Sequence, residues 1–239
     1  MRFLATPLWR MLRAAALAVV IAAVIAAASA AVQTLPLQPL VETLDGRYNS
    51  MHSWQADFTQ IYTSGLATRT ESGTLYLQKP GRMRWNYTRP VGKQFVVNGN
   101  QVWQYTAGDN EATVTELKNA TDLRTPLRFL LGHTDLNKEL DRLSYSGLTP
   151  WKTGDVVIHG YPHPDEAGSW REVWIEVTPV YEIDRLLITG VDGSQNDIRL
   201  QNIRPNVHLN KDLFDFTPPN GVRVVPAAAV VTARGGMAA

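Results

Sequence analysis

The stretch KPGRMRWNYTRP, residues 79–90, carries four basic and two aromatic side chains within twelve residues. Basic residues interleaved with aromatic ones can form a nucleic-acid surface, in which cations contact phosphates and rings stack on bases. Successive side chains of a strand point to opposite faces, however. Arg82 and Arg84 therefore face away from Trp85. The stretch predicts a strand with one apolar and one charged face, which excludes a stacking platform for bases.

The odd-numbered residues of this strand and its neighbours define a predicted apolar face, if the alternation continues across the turns. These residues are Leu75, Leu77, Met83, Trp85, Tyr87, Phe95, Val97 and Trp103. Large apolar side chains usually fill a core, but on one curved sheet under thin helices they can instead line a ligand cavity. Both interpretations stay open at this point. By the same alternation, Lys79 lies on the apolar side.

Periodicity elsewhere predicts a mainly β domain with few helices. Apolar residues recur with a helical period from Leu37 to Met51, which predicts an amphipathic helix. Residues 54–62 alternate and predict a strand, whereas the polar residues 63–73 predict a loop. Asn98-Gly99 between apolar runs is a strong hairpin signal, and further alternating runs follow in the second half of the chain. Many consecutive antiparallel strands predict one curved sheet or barrel rather than a parallel fold.

A short helix is predicted between the two groups of strands. Thr125 suits the N-cap, Pro126 the first helical position, and Gly132 the end of the helix. Its apolar face consists of Leu127, Leu130 and Leu131. Another short helix is predicted around residues 135–143. These helices and the N-terminal one are available to cover one face of the sheet.

The N-terminus predicts a signal peptide at residues 1–30. Three arginines precede a run of fifteen small or apolar residues, and Ala28-Ser29-Ala30 fits a cleavage site. The run is shorter than the ~20 residues of a membrane-spanning helix. Cleavage leaves 20 basic against 22 acidic residues, so the exported protein lacks the basic footprint of a nucleic-acid binder. We expect residues 31–225 to form a single domain, followed by a disordered tail at 226–239.

The chain contains no cysteine, which excludes disulfides, thiolate metal sites and cysteine nucleophiles. It also excludes the lipid anchor of a bacterial lipoprotein, which needs a cysteine directly after the signal peptide. No motif of a hydrolase or a nucleotide-binding enzyme occurs. His159 and His163, with Asp165 and Glu166, offer the ligand types of a zinc site, but their Gly- and Pro-rich segment is more typical of a solvated loop. We expect neither catalysis nor a metal or other cofactor.

Five segments of the chain form a series with a distinctive order and spacing. They are FTQ (58–60), GTLYLQKPGRMRWNYTRP (73–90), VNGNQVWQY (97–105), TPLRFLLG (125–132) and FDFTPPNGVRVV (214–225). From about Leu37 to Val225, the chain resembles the periplasmic outer-membrane lipoprotein carrier family. The Pro-x-x-x-x-Trp spacing and the closing FTPPNGV are fairly specific in combination.

This resemblance implies a mainly β fold, an unclosed antiparallel β-barrel covered by a lid of short helices. It implies a soluble, monomeric periplasmic chaperone rather than an enzyme. Members of the family take triacylated lipoproteins from an inner-membrane ABC transporter, shield their acyl chains, and pass them to an outer-membrane receptor. The alternative is a periplasmic sensor that binds a lipid or a protein on the same half-barrel. Such sensors usually carry a further domain.

The resemblance also assigns roles to individual residues. The apolar face defined above becomes an acyl-chain cavity. The lid consists of Pro126, Leu127, Leu130 and Leu131. Lys79 stands where the family often has an arginine, thought to latch the lid by hydrogen bonds to lid carbonyls; lysine keeps the charge but loses the planar fork of donors. The other interpretation is that the Lys79 stem carries its ammonium to water. Met83 stands at a rim position where an aromatic residue is common.

Overall fold

The structure is a computed structural model that describes residues 36–119, 128–164 and 170–227. The chain divides into two compact units, Met1–Leu40 and Val41–Ala239. Of the first unit, only Pro36 and the first turn of a helix, residues 37–40, are described. The contacts discussed below lie within the second unit. The predicted signal peptide lies outside the described residues.

Twelve strands form one sheet in the described part of the chain. Strands β1 to β6 are Ser53–Ser64, Ala67–Gln78, Arg82–Arg89, Gln94–Asn98, Gln101–Tyr105 and Glu111–Glu116. Strands β7 to β12 are Asp141–Tyr145, Val156–Tyr161, Trp170–Val177, Ile183–Gly190, Gln195–Pro205 and Arg223–Pro226. Their order across the sheet is β12-β6-β5-β4-β3-β2-β1-β11-β10-β9-β8-β7.

The sheet is open, because its edge strands β12 and β7 do not pair with each other among the described strands. Neighbouring strands are antiparallel except for β12, which pairs parallel to β6. The predicted fold class, mainly β with an unclosed antiparallel sheet and short helices, is therefore confirmed.

Two α-helices and three 3-10 turns accompany the sheet in the described residues. Helix α1 is Leu37–Ser50 and helix α2 is Leu136–Glu139. The 3-10 turns are Leu117–Asn119, Arg128–Leu131 and Lys211–Phe214. In α1, the buried residues Val41, Leu44 and Tyr48 recur with the helical period, which confirms the helix predicted there. No described helix has the length and apolar character needed to cross a membrane.

The prediction of a loop at residues 63–73 is wrong. Strands β1 and β2 continue through it as one long hairpin, in which Ser64 lies opposite Ala67 across the two-residue turn Gly65-Leu66. Gly65 has a φ of 57°, in the left-handed region that favours glycine. Most of these side chains are exposed. Strands that extend beyond the core need no apolar face, so their composition resembles that of a loop.

Two predicted segments fall partly outside the described residues. Of the short helix predicted from Thr125, the described part is the 3-10 turn Arg128–Leu131, and Pro126 and Leu127 lie outside. At the other end of the domain, β12 runs to Pro226 and the N–H of Ala227 donates to the carbonyl of Val114. The remainder of the predicted tail lies outside the described residues.

Candidate functional site

Two cross-strand rows of side chains build the apolar face of the sheet. The first row is Leu75, Trp85 and Phe95, and the second is Leu77, Met83 and Val97. All of these side chains are buried except Phe95, which is half-buried. With Tyr87, which shares the face of Trp85 on β3, the structure thus brings seven of the eight predicted residues together on one face of β2, β3 and β4.

An aromatic cluster extends this face onto β1. The ring of Phe58 meets those of Trp85 and Tyr87 edge-on, with centroids 4.6 and 5.0 Å apart. Gly73 lies in register between Phe58 and Tyr87 and leaves room for the two rings to approach. A Cβ at Gly73 would lie only 2.1 Å from the carbonyl oxygen of Asn86. Phe58 was missing from the predicted site, although the alternation along β1 contained the signal for it.

Trp103 lies on the opposite face of the sheet, so its predicted place on the apolar face is wrong. It lies directly opposite Val96, whereas Val97 belongs to the apolar face. The two-residue turn Gly99-Asn100 pairs an odd-numbered residue with an even-numbered one, which reverses the parity from one strand to the next. The ring of Trp103 packs instead against Phe216, with centroids 5.4 Å apart.

The turn Arg128–Leu131, the described part of the predicted lid, lies beside the loop that joins β2 to β3. The N–H of Gly81 in that loop donates to the carbonyl of Leu131 at 2.9 Å. Leu130 and Leu131 are both buried. The predicted lid is therefore joined to the sheet by a backbone hydrogen bond at this point.

The segment that follows this turn is fastened to α1 by two polar side chains one helical turn apart. Asn49 donates its amide to the carbonyl of Thr134 at 2.8 Å and accepts the N–H of Thr134 at 2.7 Å. The carboxylate of Asp45 accepts the N–H of Leu136, with both oxygens at 3.2 Å. Burial raises the pKa of Asp45 to about 6, although this hydrogen bond opposes the shift. Sequence reasoning missed both side chains.

Helix α1 is in turn fastened to the sheet on two sides. The ammonium of Lys79 donates to the carbonyl of Tyr48 at 2.8 Å, in the last turn of the helix, where carbonyls lack helical partners. The hydroxyl of Tyr48 accepts the N–H of Ile183 at 3.0 Å, and Arg47 pairs with Glu182. Burial lowers the pKa of Lys79. The Lys79 acceptor thus belongs to α1 and not to the described part of the predicted lid.

Beyond the aromatic cluster, the same face becomes charged. Glu71 is buried and forms ion pairs with Lys93 at 2.6 Å and Arg69 at 2.9 Å. The ammonium of Lys93 lies 4.5 Å from the centre of the Tyr87 ring. The Tyr87 hydroxyl donates to Gln60 at 3.1 Å, and burial raises the pKa of this tyrosine. The face therefore offers an apolar surface that ends at a polar one.

His159, one of the two histidines considered for zinc binding, has other surroundings. The ring of His159 stacks on Trp174, with centroids 4.6 Å apart, and its Nε2 lies 3.2 Å from a carboxylate oxygen of Glu172. Asp165 and Glu166 lie outside the described residues. Within the described residues, His159 is thus held by an aromatic ring and one carboxylate.

The family model described as "Outer membrane lipoprotein carrier protein LolA" matches residues 49–217. A protein of Methylococcus capsulatus named outer-membrane lipoprotein carrier protein is 32% identical over 203 residues, covering 82% of this chain and 90% of that protein. A protein of the same name from Pectobacterium carotovorum is 29% identical over 185 residues, covering 75% of this chain and 84% of that one.

Among solved structures, an uncharacterized conserved protein from Thermus thermophilus has a TM-score of 0.50 at 13% identity, covering 80% of this chain and 98% of the other. This likeness supports the fold alone. The residues matched by the family model include the whole apolar face and its contacts with the lid turn. The chain therefore belongs to the outer membrane lipoprotein carrier protein family, LolA.

Proposed function

We propose that the protein is a periplasmic chaperone that carries lipoproteins to the outer membrane with their acyl chains held against the apolar face. The observation that carries this proposal is the pair of buried cross-strand rows from Leu75 to Val97. The turn Arg128–Leu131 is hydrogen-bonded to the adjoining loop through Gly81. Membership in the carrier family supports it independently.

The free energy of exposing acyl chains to water determines what such a site has to do. Each CH₂ group taken out of water contributes about 0.8 kcal/mol, so one long acyl chain left in water costs on the order of 10 kcal/mol. A carrier has to hide this surface and later release it. Leu130 and Leu131 of the lid turn are themselves buried. In this proposal the incoming acyl chains would displace the lid and take up the apolar surface beneath it.

Lys79 is the proposed latch of the lid. Its hydrogen bond to Tyr48 holds the end of α1, and Asn49 and Asp45 of α1 hold the segment next to the lid turn. Displacing the lid turn would therefore disturb the hydrogen bonds that connect it, through α1, to Lys79. The family's usual arginine would offer more donors to the same helix end.

The proposed route begins at an inner-membrane ABC transporter and ends at an outer-membrane receptor. The protein would travel between them as a soluble monomer, after removal of residues 1–30. The predicted signal peptide and the absence of cysteine support this placement. Neither catalysis nor a cofactor is part of the proposal.

Mass spectrometry of the protein purified from the periplasm under native conditions tests the function. We expect a fraction of the molecules to carry a triacylated lipoprotein, and the bound fraction to fall when Trp85 is replaced by Asp. A bound phospholipid alone, or no ligand in cells that produce lipoproteins, would contradict the proposal. Circular dichroism of Trp85→Asp distinguishes loss of binding from loss of the fold.

A further inference from the structure

Three carboxylates converge on the side of the sheet formed by β8, β9 and β10, away from the aromatic cluster. Asp155 directly precedes β8, Glu176 lies in β9, and Asp184 lies in β10. One oxygen from each can be chosen so that all lie within 4.8 Å of one another. The three residues are 9%, 2% and 2% exposed, respectively. Acidic residues are rarely buried to this extent unless they are paired or bind a cation.

The backbone of β10 directs one of these side chains. Ile183 lies opposite Val177 and Arg185 lies opposite Glu176, so Asp184 is the extra residue of a β-bulge between them. A bulge changes the direction of a side chain relative to a regular strand. The bulge thus accounts for how Asp184 and Glu176, on neighbouring strands, come within reach of the same point.

The protein itself satisfies only some of the cluster's oxygens. Glu176 Oε1 accepts the N–H of Lys152 at 2.9 Å, and Asp184 Oδ2 forms an ion pair with the Lys152 ammonium. Asp155 Oδ2, Glu176 Oε2 and Asp184 Oδ1 are buried without a hydrogen-bond partner among the described residues. Buried polar groups are nearly always paired, because a buried group without a partner destabilises the fold. Several such oxygens at one point therefore indicate a missing positive partner.

Two cations approach the cluster, but they do not complete it. The ammonium of Lys152 lies 2.6 Å from Asp184 Oδ2, and its side chain is 43% exposed. Arg185 lies 3.6 Å from Glu176 Oε2, but it donates from Nε and Nη2 to Asp197 at 2.9 and 3.0 Å. Three carboxylates thus share one partly exposed lysine and one arginine that is engaged elsewhere.

We propose that Asp155, Glu176 and Asp184 bind a divalent cation, and that this cation is calcium. Calcium prefers carboxylate oxygens at 2.3–2.6 Å, so two oxygens on opposite sides of the ion are about 5 Å apart. The chosen oxygens of the cluster all lie within 4.8 Å of one another, so none is too far apart for one ion to bind them together. Water and nearby carbonyls would complete the coordination. Lys152 would move into solvent when calcium binds, because its ammonium occupies one side of Asp184.

A shared proton is the competing occupant. Burial and the neighbouring charge of Asp184 raise the pKa of Asp155 to about 7. Two carboxyl groups that share a proton would lower the charge of the cluster without a metal. The two possibilities differ in their response to calcium at constant pH, because only the metal site gains stability from added calcium.

Calcium titration of the mature protein, treated first with a chelator, tests the inference by thermal unfolding and by calorimetry. We expect a saturable rise in Tm and stoichiometric heat at pH 7.5. Asp184→Asn and Asp155→Asn should each weaken calcium binding at least tenfold, whereas the exposed Asp109→Asn should not. Lys152→Gln should tighten binding, since it removes the competing ammonium.

The absence of heat and of any Tm change at millimolar calcium in the wild type would overturn the inference in favour of the shared proton. Calcium binding that persists unchanged in both Asp184→Asn and Asp155→Asn would overturn it as well, because the ion would then bind elsewhere. If one variant fails to fold, the other and Lys152→Gln still decide. Acyl-chain binding is not a readout here, so the result is independent of the proposed carrier function.

Discussion

The ammonium of Lys79 donates a hydrogen bond to the carbonyl oxygen of Tyr48, 2.8 Å away, at the C-terminal end of α1. A charge-assisted bond of this kind is worth about 1.5–3 kcal/mol in protected surroundings, and somewhat less at this half-buried site. It joins the sheet to the helix that also holds the lid-side segment through Asn49. If the proposed lid opens, this bond is placed to influence how easily it does so.

Replacing Lys79 by Leu removes this bond while keeping an apolar stem. We expect the variant to accept lipoprotein but to release it poorly to the receptor. The reason is that the empty protein, formed on release, loses the hydrogen bond that stabilises it. A hand-off assay in vitro measures the released fraction over time. The Lys79→Arg variant, with more donors, should release its cargo faster than the wild type.

Lys211→Leu is the matched control, since it removes an exposed ammonium from the Lys211–Phe214 turn. Its transfer should equal that of the wild type. Normal release by Lys79→Leu would show that the ammonium only reaches toward water at this position.

Phe95 and Trp103 provide a test of which face binds acyl chains. Both are half-buried residues on adjacent strands, but they lie on opposite faces. Phe95→Ala should weaken the binding of a fluorescent acyl probe roughly tenfold, because it removes about 1.5 kcal/mol or more of apolar contact. Trp103→Ala should leave the affinity essentially unchanged. Equal losses of probe affinity in the two variants would mean that affinity depends on the stability of the protein and not on which face carries the substitution.

Alternation within one strand was enough to predict much of the apolar face. Met83, Trp85 and Tyr87 follow one another on β3, and their common parity fixes a common face. Odd-numbered Phe95 lies on this same face, whereas odd-numbered Trp103 lies on the opposite one. The difference arises at the turn, because a two-residue hairpin pairs residues whose numbers have an odd sum, such as 96 and 103. The hairpin signal Asn98-Gly99 predicts the turn, which the structure forms at Gly99-Asn100, but alternation alone does not include the change of parity that such a turn causes.

Other parts of the site depend on contacts between residues distant in sequence. Asn49 and Thr134 are far apart along the chain, and neither belongs to a motif that indicates the other. The convergence of Asp155, Glu176 and Asp184 depends on a bulge in β10 and on the pairing of three strands. Periodicity reports which face a residue occupies, whereas these contacts require the full strand order.

Asn49 forms two hydrogen bonds to the backbone of Thr134, whose side chain is buried. Asn49→Ala leaves the N–H and carbonyl of Thr134 without these partners, so we expect a loss of about 2 kcal/mol in stability. Amide hydrogen exchange at Thr134 should become faster, because the segment opens more often. Ser50→Ala removes an exposed hydrogen bond at the neighbouring position and should leave the exchange at Thr134 unchanged. Unaltered protection in Asn49→Ala would contradict a fastening role.

Asp45 predicts a pH dependence of stability. Burial raises its pKa to about 6 in the folded protein, against about 3.9 in an unfolded chain. The folded state therefore holds the proton more tightly, and this contribution to stability is complete below about pH 4 and is lost as the pH rises through about 6. Asp45→Asn cannot titrate and still offers an oxygen to the N–H of Leu136.

Urea unfolding of the wild type and Asp45→Asn across this range provides the measurement. The stability of the wild type relative to the variant should be greatest near pH 4 and should decrease toward pH 7. Parallel profiles for the two proteins would mean that the carboxyl group is not buried in solution.

The strand order has a consequence for the way the chain acquires its structure. In the described sheet, all neighbouring strands are consecutive in the sequence except β1 with β11 and β12 with β6. Consecutive hairpins close short loops and form quickly, whereas the pairing of β1 with β11 has to wait for a distant segment. During synthesis or export from the amino end, the edge of β1 that later pairs with β11 would stay unpaired until almost the whole domain has emerged. Such an edge is a template for association with other chains, so the newly made protein is most exposed to misassembly through β1 before β11 arrives.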